Sequence, residues 1–144
     1  LALVSGGPSS MGPAFDEAAG PFCAAFPSAR NAGWDYSGFG ADARFLAAVQ
    51  GHATSTRTID DDRVSLLGYS SGGSMALMLA CGDVVGARVS SAFAYGAVAH
   101  NAECADRQHL LIAHGSRDAV APYDGDPLLG LAAGETLAAA IAGA

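Results

Sequence analysis

Short apolar runs and helical patterns alternate along this chain. Residues 1–4 form an apolar run stopped by Ser5-Gly6-Gly7-Pro8, a pattern that predicts a strand. Residues 8–40 are rich in Gly, Pro and Ser and carry Phe15, Phe22, Phe26, Trp34, Tyr36 and Phe39, aromatics expected to pack in the core. The stretch admits a helix over residues 16–25 and otherwise reads as a long irregular excursion, a kind of segment that tends to serve function. Residues 42–50 predict a helix with Phe45, Leu46 and Val49 on one face. A polar stretch follows from His52 to Asp62, and Asp60-Asp61-Asp62-Arg63 reads as a solvated turn rather than a calcium ligand set. Residues 64–67 predict a strand. Residues 73–81 predict a helix that is apolar on nearly every side and so must be buried all round, with Gly82 placed to end it. Residues 89–95 and 110–113 predict two further strands, and 128–141 a final helix. Strands alternating with helices predict an α/β fold: a parallel sheet with helices on both faces, in a single domain over 1–144.

Composition narrows the function. The chain has 144 residues, enough for one core, with 51% hydrophobic and 15% charged residues, which excludes intrinsic disorder. A net charge of −7 argues against a nucleic-acid partner. There is no lysine, so Schiff-base chemistry and a P-loop lysine are excluded. No apolar run approaches the roughly 18–20 residues of a membrane span. The first residues already read as a strand and the last as a helix, so the chain is expected to be a piece of a longer protein. Cys23, Cys81 and Cys104 include no C-x-x-C pair and no matching histidine spacing, so no metal site is expected. The three are expected to be buried and inert; alternatively Cys81 and Cys104 form a disulfide and leave Cys23 free.

One motif carries chemistry. Gly68-Tyr69-Ser70-Ser71-Gly72 matches G-x-S-x-G. With 19 glycines and thirteen serines in the chain, chance supplies on the order of 0.2 such matches, so context decides. The context is present: a predicted strand leads in and a predicted buried helix leads out. A strand turning sharply into a helix strains the middle residue and lifts its side chain clear of the sheet. Ser70 is therefore the expected nucleophile, with the Ser71 N–H facing a developing oxyanion at the helix N-terminus. A nucleophilic serine needs a base and the base an orienting acid. Asp118, in the loop His114-Gly115-Ser116-Arg117-Asp118 after the strand at 110–113, is the expected acid. Asp124 and Asp126 are fallbacks whose simpler reading is turn chemistry.

Gly68-Tyr69-Ser70-Ser71-Gly72-Gly73-Ser74-Met75, together with His114-Gly115-Ser116-Arg117-Asp118-Ala119-Val120-Ala121-Pro122-Tyr123, resembles the polyhydroxybutyrate depolymerase and feruloyl esterase group of α/β-hydrolases. The resemblance runs well through residues 63–127 and weakly from about Gly38. It implies a partial α/β-hydrolase fold and a serine esterase that cleaves polyester or feruloyl-type esters through an acyl-enzyme, with no cofactor and no metal. It also implies an extracellular protein acting on a small-molecule or polymeric ester. Ser70, Ser71 and Asp118 take the roles of nucleophile, oxyanion donor and acid, and His114 a non-catalytic position at the strand end.

Two departures qualify this. In that group the catalytic histidine comes after the acid, and no histidine follows Asp118 here. His52, His109 and His114 are poor substitutes and His100 a slightly better one, so the base is expected to be missing and turnover impaired. The group's first oxyanion segment, an H-G pair, is also not found. Ser5-Gly6-Gly7 is a possible variant of it; the preferred reading makes residues 1–4 the next strand along and puts the segment upstream. The competing functions are a peptidase or acyltransferase on the same scaffold, and a non-catalytic hydrolase-like binding module. A nucleotide-binding domain is disfavoured because Ser5-Gly6-Gly7-Pro8 lacks G-x-G-x-x-G spacing.

Overall fold

The computed structural model describes residues 2–5, 22–31, 33–35, 40–82, 88–98 and 109–125. Within them the elements are β1 (Ala2–Ser5), β2 (Ala24–Ala25), α1 (Ala41–Thr56), β3 (Ser65–Tyr69), α2 (Ser71–Cys81), β4 (Ser91–Tyr95) and β5 (His109–Ala113). The strands form one five-stranded sheet in the order β2-β1-β3-β4-β5. Every neighbouring pair is parallel. The α/β expectation therefore holds for the described residues.

The order reverses between β1 and β3: the chain first steps outward to β2, then crosses back and continues through β4 to β5. Such a switch point opens a crevice at the carboxyl ends of the strands. In register, Ser5 sits opposite Gly68, and Tyr69 opposite Tyr95. Both helices pack on one face of the sheet. Leu66 and Ala92, on that face, share a buried cluster with Ala43 and Leu46 of α1 and with Met75, Ala76, Leu79 and Ala80 of α2. Ala94, Ala97, Leu77 and the half-buried Ile112 extend it toward β5. The other face carries Leu67, Phe93 and Leu111, with Leu111 64% exposed. Helices on both faces are thus not found among the described residues; residues 128–141, the expected final helix, lie outside them.

The local differences from expectation have physical causes. Residues 22–25 are not helical, and Ala24–Ala25 pairs with Ala2 and Leu3. Two alanines on a sheet edge carry no alternating pattern to announce a strand. Helix α1 runs six residues past Gln50. Its last turn is polar, and the Thr54, Ser55 and Thr56 hydroxyls donate to the carbonyls of Gly51 and His52. Its buried face is Asp42, Ala43, Leu46 and Gln50, while Phe45 points outward. Gln50 is buried because its side chain pairs with backbone: Nε2 donates to the Arg88 carbonyl and Oε1 accepts the Arg88 N–H, both at 3.1 Å. Trp34 is in the core, but Phe22 and Phe26 are substantially exposed.

Helix α2 is buried nearly all round, as its composition predicts, and begins two residues early, at Ser71. Gly82 ends it with an N–H to the Met78 carbonyl at 2.8 Å and φ of −105°. Its glycine is explained by space rather than by a left-handed turn, since a Cβ there would stand 2.6 Å from that carbonyl oxygen. Residues 60–63 form the expected turn, with the Asp62 N–H donating to Asp60 Oδ1 and Arg63 pairing with Asp60 at 3.2 Å. Cys81 is in a disulfide, which overturns the reading of three inert thiols; Cys23 is free, and Cys104 lies outside the described residues.

Candidate active site

Ser70 stands between the last residue of β3 and the first of α2. Its backbone has φ 54° and ψ −126°, and it is the single non-glycine residue with positive φ among the described residues. A side chain there costs about 1–3 kcal/mol, which persists only where the surroundings over-determine the conformation. They do. A Cβ on Gly68 would stand 2.1 Å from the Gly72 carbonyl oxygen, and one on Gly73 would stand 2.7 Å from the Ala97 Cβ and 3.1 Å from the Gly68 oxygen. The two arms of the turn therefore touch, backbone against backbone. Ser70 N–H donates to the Tyr95 carbonyl at 2.9 Å, and the Ser70 carbonyl accepts from the Ser74 N–H at 3.0 Å. Ser74 Oγ in turn accepts from the Val98 N–H at 3.2 Å, tying α2 to the loop after β4.

The Ser70 side chain is exposed and makes no capping hydrogen bond to the helix. The first N–H groups of α2 have no carbonyl four residues back to bond. The Ser71 N–H is one of them, and the partial positive charge of the helix end adds to it. Gly33 borders this spot: a Cβ on it would lie 4.0 Å from Ser71 Oγ. The segment bearing Gly33 is anchored through buried Asp42, which accepts the Asp35 N–H at 2.9 Å and faces Arg30 Nε at 3.9 Å.

Asp118 lies in the loop after β5. Its Oδ1 accepts two backbone N–H groups, from Val120 and Ala121, each at 2.9 Å. Those donors, Ala121 first, hold the carboxyl below the ordinary carboxylate value; nearby His114 acts the same way, and partial burial opposes them. Oδ2 lies 3.6 Å from where a Cβ on Gly96 would be, and the Tyr69 ring is equally near that position. Asp118 therefore sits over the ends of β3 and β4, at the same end of the sheet as Ser70. Gly96 has φ 55°, and its N–H donates to the Ala113 carbonyl at 3.0 Å, which fixes the base of the Asp118 loop to the end of β4. Sequence reasoning missed Gly96; a glycine directly after a predicted strand was its one signal. Tyr69 and Tyr95 stack with ring centroids 5.6 Å apart, half-exposed beside the carboxylate.

The histidines divide clearly. His52 is exposed near the end of α1, and His109 opens β5 at the opposite end of the sheet. His114 is close to Asp118, with Nε2 3.9 Å from Oδ2, but that nitrogen is 2.6 Å from the Ala121 carbonyl oxygen and is spent on it. His100, Asp126 and Gly6-Gly7 lie outside the described residues; Asp124 is exposed in a turn. No group of three or more His, Cys, Asp or Glu that could hold a metal occurs among the described residues. None of the described helices is long and apolar enough to cross a membrane.

Comparison with family models, with curated proteins and with solved structures finds no match.

Proposed function

We propose that this chain carries the nucleophile and acid of a serine carboxylic-ester hydrolase of the α/β-hydrolase type. The observation that carries the reading is the backbone of Ser70: an exposed serine in a strained conformation at a strand–helix junction, held by glycines that permit no side chain. In the proposed reaction Ser70 Oγ attacks the ester carbonyl carbon. The carbonyl oxygen becomes an oxyanion facing the Ser71 N–H. The Ser70 hydroxyl proton passes to the base, or to water where no base is placed, and from there to the departing alkoxide, which leaves as the alcohol with Ser70 acylated. Water then attacks the acyl carbon, releases the acid and restores the Ser70 hydroxyl. Asp118 would orient the base and stabilise its charged form through Oδ2, the oxygen that the Val120 and Ala121 N–H groups do not take.

The position of β1 supports Ser5-Gly6-Gly7 as the other oxyanion segment, against the preferred sequence reading. β1 is hydrogen-bonded directly to β3, with Ser5 opposite Gly68. β1 therefore ends at the rim beside the elbow, where an oxyanion segment of this kind would have to begin. The resemblance points to polyester or feruloyl-type esters and to an extracellular setting. The stacked tyrosines beside Asp118 suit an aromatic or extended apolar ester.

None of the described histidines is placed as the base, so the reading predicts slow turnover by this chain. Loss of a triad member costs on the order of 10⁴–10⁶ in kcat. The test is incubation with a fluorophosphonate and with p-nitrophenyl acetate, followed by mass mapping. Slow labelling confined to Ser70, and lost in Ser70→Ala, supports the esterase. A Ser70 no more reactive than Ser71 or Ser116 sinks it and leaves a non-catalytic binding module.

A further inference from the structure

We propose that His114 is a positioning residue for Asp118, clasping the acid loop shut by a hydrogen bond from its Nε2 to the Ala121 carbonyl. The proposal rests on the esterase reading for its purpose, since Asp118 matters as the acid there, but not for its geometry.

Ala121 is held from two sides. Its N–H donates to Asp118 Oδ1 at 2.9 Å, and its carbonyl meets His114 Nε2 at 2.6 Å. A carbonyl oxygen can only accept, so Nε2 carries the proton, and in the neutral ring Nδ1 does not. The clasp joins positions seven apart, from the residue after β5 to the residue before Pro122. Inside it the Asp118 N–H closes a turn onto the Gly115 carbonyl at 3.1 Å. The imidazole is fixed in turn: its side chain is 6% exposed and meets the Tyr123 ring edge-on, with centroids 5.8 Å apart. The Asp118 side chain, by contrast, is 27% exposed. A half-open carboxylate on a surface loop keeps one orientation only while both N–H donors stay aimed at Oδ1. One of those donors belongs to the residue that His114 grips. His114 does not itself bond the carboxylate, since 3.9 Å from Nε2 to Oδ2 is too long.

The test is carboxyl ¹³C NMR titration of Asp118 in the full chain, in wild type and in His114→Ala, His114→Gln and His114→Phe. The positioning role predicts that Asp118 titrates below the ordinary value of about 3.9 in wild type. It moves upward in His114→Ala and His114→Phe, and returns toward wild type in His114→Gln, whose Nε2–H sits where the imidazole's did. If His114 acted only through its positive charge, His114→Gln would be as displaced as His114→Ala, and the proposal fails. An Asp118 that ignores all three variants also overturns it. Should the variants not fold, the imidazole ¹⁵N spectrum of the wild type decides: the proton must be on Nε2, and finding the Nδ1–H tautomer overturns the clasp. No readout needs ester turnover. Unlabelled Ser70 with a displaced Asp118 in His114→Ala would sink the esterase alone; a labelled Ser70 with an unmoved Asp118 would sink the clasp alone.

Discussion

At the elbow, backbone is pressed against backbone; in the Asp118 loop, side chains are tied to backbone by hydrogen bonds. Gly68 and Gly73 owe their places to contacts that admit no Cβ, and Ser70 is held between them by backbone hydrogen bonds to Tyr95 and Ser74. Asp118 owes its place to the Val120 and Ala121 N–H groups and to the His114 contact. The elbow is therefore intolerant of added volume, while the loop depends on the ionisation of Asp118.

The largest effect expected from this contrast is at Gly68. A methyl group 2.1 Å from the Gly72 oxygen must force the turn open. Gly68→Ala is expected to cost about 3 kcal/mol or more in urea unfolding, at the upper end for overpacking. A cost below about 1 kcal/mol would mean the two arms are not in contact. Gly73→Ala meets the Ala97 Cβ at 2.7 Å and the Gly68 oxygen at 3.1 Å, a looser clash than that at Gly68, so about 1–3 kcal/mol is expected by the same measurement.

How much of this was legible differs between the two regions. The elbow is written in spacing: glycines at 68 and 72 around Ser70, with an all-apolar helix behind them, announce a tight strand–helix turn. The Asp118 loop is legible only as a position after a strand; that Oδ1 takes two loop N–H groups and that His114 grips Ala121 depends on loop geometry that no periodicity encodes. Elsewhere, Gln50 defeats a hydrophobic pattern because its burial is satisfied by Arg88 backbone, and Phe45 defeats it by facing out. The polar last turn of α1 hides its length, and the brevity of β2 hides its existence.

A smaller effect separates strain from chemistry. Ser70→Gly relieves the positive φ, while Ser70→Ala keeps it. Ser70→Gly is expected to be more stable than Ser70→Ala by about 1 kcal/mol in urea melts, although both remove the hydroxyl. Equal stabilities would show that residue 70 is not strained.

The smallest effect is the pH response of the loop. The Asp118 carboxyl is held down in the folded state. Its contribution is complete above the unfolded value near 3.9 and is lost as pH falls through the lower folded value. The Val120 and Ala121 amide resonances should titrate together in that acidic window, while the Ser70 and Ser74 amides stay still. Amides of the elbow moving in step with the loop would erase the distinction.

The Gln50–Arg88 pairing has a consequence at the far side of the molecule. A helix side chain there serves as a stand-in strand, offering one donor and one acceptor to the chain just before β4. Being an uncharged amide, it keeps its grip in acid after the carboxylate at the rim has let go. Acidification should thus loosen the Asp118 loop before this pairing, with the Arg88 amide exchanging its hydrogen for deuterium later than the Val120 and Ala121 amides.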